Sequence, residues 1–126
     1  MPARVVDASV VAAWCFREPK AAEALALLRD SDLLAPLLLA YELTSIAKSK
    51  TAAYPDNADV FAEALLTALA LPIHWSDIDH LGVLRLALDA GISTSDASYL
   101  YLARTRAVPL STFDQKLAWA AQAGGL

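Results

Sequence analysis

The chain has 126 residues, a formal net charge of −4 and 57% apolar residues. This length suits one domain with one core, and this apolar fraction excludes an intrinsically disordered segment. The only cysteine, Cys15, excludes an intrachain disulfide and a cysteine-based zinc cluster. The longest run without a charged residue, 64–76, is too short to span a bilayer. We therefore expect a single cytoplasmic domain over residues 1–126, with no signal peptide.

Short apolar runs alternate with longer helical patterns along the chain. The first run, 4–6, ends at Asp7, and Pro36 suits the first turn of the third helix. Ser76 and Asp77 suit a helix start, and Ser93 suits another. We expect strands at 4–6, 33–35, 73–75 and 108–111, and helices at 8–16, 20–29, 36–50, 58–71, 77–90, 93–106 and 115–123, with Gly124 and Gly125 closing the last. This alternation predicts an α/β sandwich around a short, mainly parallel sheet.

Four acidic residues stand out because of where they fall in this pattern. Asp7 directly follows the first strand, and Asp114 follows the last strand by a short turn. Asp96 lies in the first turn of a helix. Ligands of such folds bind beyond the carboxyl ends of the strands. Glu42 lies on a helix that is apolar nearly all round, where a carboxylate is costly to bury unless it is paired or bound to a metal.

Taken singly, three of these acids have an ordinary explanation. Asp7 and Asp114 suit helix caps, and Asp96 forms a capping-box-like pair with Ser93. Four converging carboxylates would repel one another unless cations neutralised them, and a site with only oxygen ligands favours Mg²⁺ or Mn²⁺. Without the four acids, the remaining acidic and basic side chains are equal in number, ten of each. A metal pocket would therefore make nucleic-acid binding compatible with the acidic net charge.

Four segments of the chain resemble one family. They read VDASV at 6–10, APLLLAYE at 35–42, SDASYLYLA at 95–103 and PLSTFD at 109–114, followed by Leu117. In this order and spacing they resemble the PIN domain, and most of all the VapC-type ribonuclease toxins of prokaryotic toxin–antitoxin operons. The resemblance covers nearly the whole chain and implies a three-layer α/β/α sandwich with many helices.

The resemblance also implies a site and an activity. The activity is endonucleolytic cleavage of RNA with one or two Mg²⁺ or Mn²⁺ ions. The family's acidic quartet falls on Asp7, Glu42, Asp96 and Asp114, and its supporting hydroxyls fall on Ser9 and Thr112. Asp114 would complete the first metal site or hold a second ion. Gln115 and Lys116 stand where many relatives carry a further acid. The final strand of relatives has no counterpart here, so we expect either a shortened sheet edge or a truncated chain.

Basic and aromatic residues near these motifs are candidates for contact with RNA. Lys20, Lys50 and Arg106 belong to the wider set. The preferred phosphate-guiding candidates are Arg17, Lys48, Arg104 and Lys116. Phe113 is close enough to Asp114 in sequence to stack on a base, whereas core packing is the expected role of Trp14.

The high apolar content predicts protein partners. Two sets of apolar side chains exceed what one core needs: Leu37, Leu38, Leu39, Leu43, Ile46 and Ala47, and further along Leu84, Leu86, Leu88 and Ile92. The resemblance implies that such helices pair two copies into a homodimer. It also implies a groove for the amphipathic segment of an antitoxin, which we expect around Val11, Trp14, Leu25 and Leu28.

Two other functions remain open at this point. A receiver-like phosphoacceptor domain also gathers acids around Mg²⁺, although Asp7 is not part of an acidic pair. The other is a catalytically silent PIN module that only binds a partner. A phosphatase of the haloacid dehalogenase type fits less well, because a second Asp does not follow Asp7 at the required spacing.

Overall fold

The sheet is the frame on which the rest of the chain is arranged. A computed structural model describes residues 1–123 and contains four strands: β1 (Ala3–Val6), β2 (Asp32–Pro36), β3 (Ile73–Ser76) and β4 (Leu110–Ser111). Their order is β3-β2-β1-β4, and every neighbouring pair is parallel. Because parallel strands present their carboxyl ends at one edge, the residues that follow β1, β2, β3 and β4 collect there.

Seven α-helices and one 3₁₀ turn connect and flank these strands. The helices are α1 (Ala8–Cys15), α2 (Ala21–Arg29), α3 (Leu38–Ala53), α4 (Ala58–Leu69), α5 (His80–Ala90), α6 (Thr94–Arg106) and α7 (Gln115–Ala123), and the 3₁₀ turn is Pro55–Asn57. Helix α6 packs on β1 and β2, while α1 packs on α2, α3 and α4. The predicted α/β sandwich with a short parallel sheet and many helices is confirmed.

Local chemistry explains several helix boundaries. The carboxylate of Asp7 accepts the backbone N–H of Val10 and begins α1. The hydroxyl of Ser93 accepts the backbone N–H of Asp96 at 3.0 Å and begins α6. Helix α5 ends at Gly91, whose φ of 67° lies in the left-handed region that glycine adopts without strain.

The main differences from the predicted boundaries lie in α3, α5 and β4. Pro36 belongs to β2 and pairs with Ser76, so α3 begins at Leu38 and extends to Ala53. Helix α5 begins at His80 and not at 77, because Asp79, which accepts the N–H of Gly82, provides the cap. Strand β4 has two residues, where four were expected. The predicted glycine stop at 124–125 lies outside the described residues.

Several apolar side chains that we expected at the dimer surface lie in the core. Leu39 and Leu43 are fully buried, and Ala47 is also buried. Ile92 is buried just after α5. Burial of a leucine side chain stabilises the fold by about 1.5–3 kcal/mol. Part of the expected dimer surface is therefore core, because α3 packs against β2 and α1 along this side.

The expected antitoxin groove needs a similar correction. Val11 is fully buried and Leu28 is nearly so, and their helices α1 and α2 pack on each other. Trp14 is half-buried against the core, as expected, and Leu25 remains exposed. The groove as predicted, around all four residues, was wrong.

The strand order also bears on the alternative functions. Receiver domains have the order 2-1-3-4-5, in which the first and third strands are neighbours. Here β1 lies between β2 and β4, and β3 lies outside β2. The receiver interpretation was therefore wrong. Among the described residues, no helix has the length and apolar character needed to cross a membrane.

Candidate active site

Asp7 lies at the carboxyl edge of the sheet, held by two hydroxyl groups. Strand β1 pairs with β4 so that Val6 lies opposite Ser111, which brings Asp7 beside Thr112. Ser9 Oγ donates to Asp7 Oδ1 at 2.6 Å, and Thr112 Oγ1 donates to Asp7 Oδ2 at 2.5 Å. Both carboxylate oxygens are therefore fixed in direction. Such bonds orient a carboxylate, and the role of Ser9 and Thr112 as supporting hydroxyls of a metal site stays a prediction.

The same hydroxyls fix the turn that carries Asp114. Ser9 Oγ accepts the backbone N–H of Phe113 at 2.8 Å, and Thr112 Oγ1 accepts the backbone N–H of Asp114 at 2.9 Å. Asp114 itself is exposed, and its Oδ1 accepts the N–H of Leu117 at 3.0 Å. It therefore caps α7, as its position in the sequence suggested.

Burial decides the protonation behaviour of Asp7. The residue is 5% exposed, and burial raises its pKa above the ordinary value. The hydrogen bonds from Ser9 and Thr112, which stabilise the charged form, oppose this shift without cancelling it. Among residues 1–123, no ion pair includes Asp7. A buried carboxylate without a cationic partner is costly for a purely structural role.

Glu42 is half-buried on α3 and faces the same cluster. Burial raises its pKa first, and repulsion from Asp7 and Asp96 raises it further. The hydroxyl of Tyr99 donates a hydrogen bond to Glu42 Oε1, which favours the charged form. The mutual repulsion shows that Glu42 lies within electrostatic reach of two other acids of the predicted quartet.

Tyr99 is a site residue that the sequence analysis did not single out. It is 2% exposed and lies three residues after Asp96 on α6, the spacing that places two side chains on one face of a helix. It belongs to the segment SDASYLYLA that carried the family resemblance. The detectable signal was therefore a tyrosine at i+3 from a candidate ligand, although its partner Glu42 is 57 residues distant in sequence.

Asp96 completes the group from the first turn of α6. Burial raises its pKa, and repulsion from Asp114 adds to the shift. The Ser93 hydroxyl and the Lys116 ammonium act in the opposite direction. Each of the four predicted acids therefore interacts electrostatically with at least one other at this edge of the sheet.

The chemistry of this group fits a divalent cation. Within residues 1–123, no three His, Cys, Asp or Glu side chains form a ready metal-binding group. The donors here are all oxygen, however, and three carboxylates have pKa values raised by burial, two of them also by mutual repulsion. A bound cation would relieve both effects, and oxygen donors are those that Mg²⁺ and Mn²⁺ prefer.

The four predicted RNA-contacting cations differ in their distance from the carboxylate cluster. Lys116 lies close enough to Asp96 to lower its pKa, so it stands beside the cluster. Arg104 lies in the last turn of α6, about 12 Å along the helix axis from Asp96, with its Nε buried and without a hydrogen-bond partner. Arg17 and Lys48 are exposed. Of these four, Lys116 is the one whose charge is felt at the cluster.

A groove of about 510 Å³ opens beside the cluster, between α1 and α3. Glu42 and Ser9 lie on its lining, and the rest comes from Ala8, Ala12, Glu18, Ser45, Ile46, Ser49 and Lys50. Lys50 pairs with Glu18 at 2.9 Å and so carries no free charge into the groove.

The sequence pattern of the PIN domain family matches residues 4–122. The chain belongs to the PIN domain family. Among solved structures, the crystal structure of PAE2754 from Pyrobaculum aerophilum superposes with a TM-score of 0.78 at 21% identity, covering 96% of this chain and 86% of that chain. At this identity the likeness shows the fold alone. No curated protein sequence matches the chain.

Membership of the PIN family confirms the prediction at the level of the family. PIN domains are generally metal-dependent nucleases, so the predicted hydrolase class and the divalent metal agree with the family. Because the chain belongs to the PIN family, the interpretation as a phosphatase of the haloacid dehalogenase type was wrong. The RNA substrate, the toxin role and the residue assignments go beyond what family membership establishes.

Proposed function

We propose that this PIN domain is a Mg²⁺-dependent endoribonuclease and the toxin of a type II toxin–antitoxin pair. The observation that carries the proposal is the set of carboxylates at the carboxyl edge of the sheet, in which Asp7 and Asp96 raise the pKa of Glu42, and Asp114 raises that of Asp96. A PIN domain that only binds a partner has no need to keep such a cluster, because four mutually repelling acids reduce stability.

Each residue of the cluster has a distinct task in this proposal. Asp7, Glu42 and Asp96 would hold the first cation, and Asp114 would complete that site or hold a second one. Bound ions would activate a water molecule and stabilise the leaving oxygen of the phosphodiester. Ser9 and Thr112 orient the carboxylate of Asp7 through their hydrogen bonds, and Tyr99 orients that of Glu42.

RNA cleavage by purified variants tests the proposal. We expect Mg²⁺-dependent cleavage by the unsubstituted protein and its loss in Asp7→Asn and Asp96→Asn, which remove ligand charge and keep the side-chain shape. Asp89→Asn is the matched control, because Asp89 is an exposed acid on α5 away from the cluster. Equal cleavage by all variants would contradict the site. Metal-dependent RNA binding without cleavage would favour the catalytically silent module.

The proposed homodimer uses the leucines that the core does not absorb. Leu37 is 57% exposed and Leu84 is 47% exposed, and with Tyr41 they line a cavity of about 620 Å³ between α3, α5 and α6. Leu88, on α5, is 73% exposed. Covering this apolar surface with a second copy would remove it from water, which favours association.

The proposed antitoxin groove lies between α1 and α4 and has a volume of about 640 Å³. Trp14, Phe16 and Phe61 provide apolar rings, and Asp59 and Glu63 stand on the rim. This lining suits the apolar face of an amphipathic segment, with basic side chains facing the acidic rim. Co-purification with the product of a small adjacent reading frame, lost on Phe61→Asp substitution, tests this assignment.

A further inference from the structure

Lys20 contacts Phe113, a residue that is hydrogen-bonded to Ser9 beside the carboxylate cluster. Its Nζ lies 4.9 Å from the centroid of the Phe113 ring, within the range of a cation–π interaction. The backbone N–H of Phe113 donates to Ser9 Oγ, and Ser9 donates to Asp7. The ammonium group is therefore connected through one ring and one hydroxyl to a buried acid of the site.

The topology places Lys20 at the same edge of the sheet as the cluster. Helix α2 ends at Arg29, shortly before β2 begins at Asp32, which pairs with Ala3 at the amino edge. The opposite end of α2, where Lys20 is the residue before the helix, therefore faces the carboxyl edge. Nine helical residues span about 13 Å, which is long enough for α2 to run from the amino edge of the sheet to its carboxyl edge.

Helix stability does not explain a lysine at this position. Lys20 provides no side-chain hydrogen bond to cap α2, and its charge is unfavourable at the positive end of a helix dipole. The ion pairs of residues 1–123 do not include it, and its neighbour Glu18 is engaged by Lys50. Sequences break such local rules at functional positions more than elsewhere.

We propose that Lys20 binds a backbone phosphate of the RNA substrate beside the carboxylate cluster, and that Phe113 positions its ammonium group. This inference rests on the proposed ribonuclease function. A phosphate that approaches several carboxylates is repelled, and a nearby unpaired cation offsets this repulsion. Contacts to phosphates fix the register of a strand without reading its sequence, so Lys20 acts on substrate binding and not on the reacting bond.

Steady-state cleavage of single-stranded RNA separates binding from chemistry. Lys20→Ala should raise KM about ten-fold with kcat nearly unchanged, since a hydrogen bond to a charged group is lost. Phe113→Leu, which keeps the bulk but removes the ring, should raise KM by a smaller factor. The control is Arg29→Ala, which removes a cation from the far end of the same helix and should leave KM unchanged. A fall in kcat at constant KM would overturn the inference.

Direct binding distinguishes this inference from the nuclease proposal. A fluorescein-labelled single-stranded RNA of mixed sequence is titrated against proteins that carry Asp96→Asn to block cleavage. Adding Lys20→Ala should reduce the slope of log affinity against log salt by about 0.7, the value for one phosphate contact on a single strand. Equal slopes for the Lys20→Ala and Arg29→Ala proteins would overturn the role of Lys20. Binding that depends on Lys20, together with no RNA cleavage by the protein that keeps Asp96, would support the inference and overturn the nuclease proposal.

Discussion

The buried hydroxyl of Tyr99 donates a hydrogen bond to Oε1 of Glu42 and so joins α6 to α3 at the carboxylate cluster. Tyr99 lies one turn after Asp96, so one helix supplies both an acid of the site and the group that orients another acid. This bond favours the charged form of Glu42. Burial and repulsion act in the opposite direction and raise the pKa of Glu42. In turn, burial and the bond to Glu42 raise the pKa of Tyr99, which keeps the phenol protonated as the donor.

Tyr99→Phe should therefore weaken the site without removing a carboxylate. We expect Mn²⁺ affinity, measured by calorimetry, to fall about ten-fold, the usual effect of losing a group that orients a ligand. Tyr101→Phe is the control, because that ring lies on the same helix and packs against Gly82 of α5. Equal Mn²⁺ affinity in both variants would show that Glu42 does not depend on Tyr99.

Thr112→Val should change the pH profile of cleavage. The valine keeps the shape of the side chain but removes the hydroxyl that donates to Asp7 and lowers its pKa. The pKa of Asp7 should rise, so the acidic limb of the profile should move to higher pH. The control Thr105→Val removes a hydroxyl that donates to the carbonyl of Leu102 on α6. An unmoved acidic limb would contradict the role assigned to Thr112.

The cluster should make the metal-free protein less stable as the pH rises. The folded-state pKa values of Asp7, Glu42 and Asp96 are raised, so the folded protein binds more protons than the unfolded chain above their ordinary values of 3.8 and 4.5. The contribution of these groups to stability is therefore present at low pH and is lost as pH rises through the raised values.

Denaturation without metal at several pH values measures this effect. Asp96→Asn should increase metal-free stability at neutral pH and make it less sensitive to pH, because one repelling charge is removed. Saturating Mg²⁺ should reverse the order of the two proteins. Asp89→Asn should leave both behaviours unchanged. A metal-free Asp96→Asn protein that is less stable than its parent at neutral pH would contradict the repulsion.

The exposed leucines of α5 should control oligomeric state. Light scattering at micromolar concentration should give a mass of twice 13.4 kDa for the unsubstituted chain and 13.4 kDa for Leu84→Glu. Leu66→Glu is the control, since Leu66 is 66% exposed on α4, away from the proposed dimer surface. If light scattering gives a monomer mass for the unsubstituted chain, the dimer is excluded and the exposed leucines have no partner.

Local signals in the sequence predicted much of the fold. Asp7 and Ser93 act as helix caps where the sequence placed them, and α5 ends at Ala90, as predicted, with Gly91 as its cap. These features depend on neighbours within a few residues, so a sequence pattern contains them. Pro36 was assigned to a helix because proline suits a first turn, whereas pairing with Ser76 on another strand places it in β2.

Features that depend on distant contacts were less accessible. Leu39 and Leu43 are core residues, yet a leucine-rich segment like theirs also occurs on surface helices. The packing of α3 against β2 and α1 buries them, and the local sequence does not contain this information. The bond between Tyr99 and Glu42 likewise depends on how α3 and α6 meet. Asp7 and Asp114 were chosen because they follow strands, and the parallel sheet brings those strand ends together. Asp96 was chosen from the first turn of a helix, and Glu42 because its helix is otherwise apolar.

Anomalous diffraction from crystals soaked in Mn²⁺ at neutral pH tests the central claim most directly. The account predicts an ion bonded to carboxylate oxygens of Asp7 and Asp96, with Glu42 in or next to its coordination shell and no such ion in Asp96→Asn crystals. Crystals that take up no Mn²⁺ at this edge of the sheet, or that bind it at other residues, would contradict the claim that these carboxylates form a metal centre.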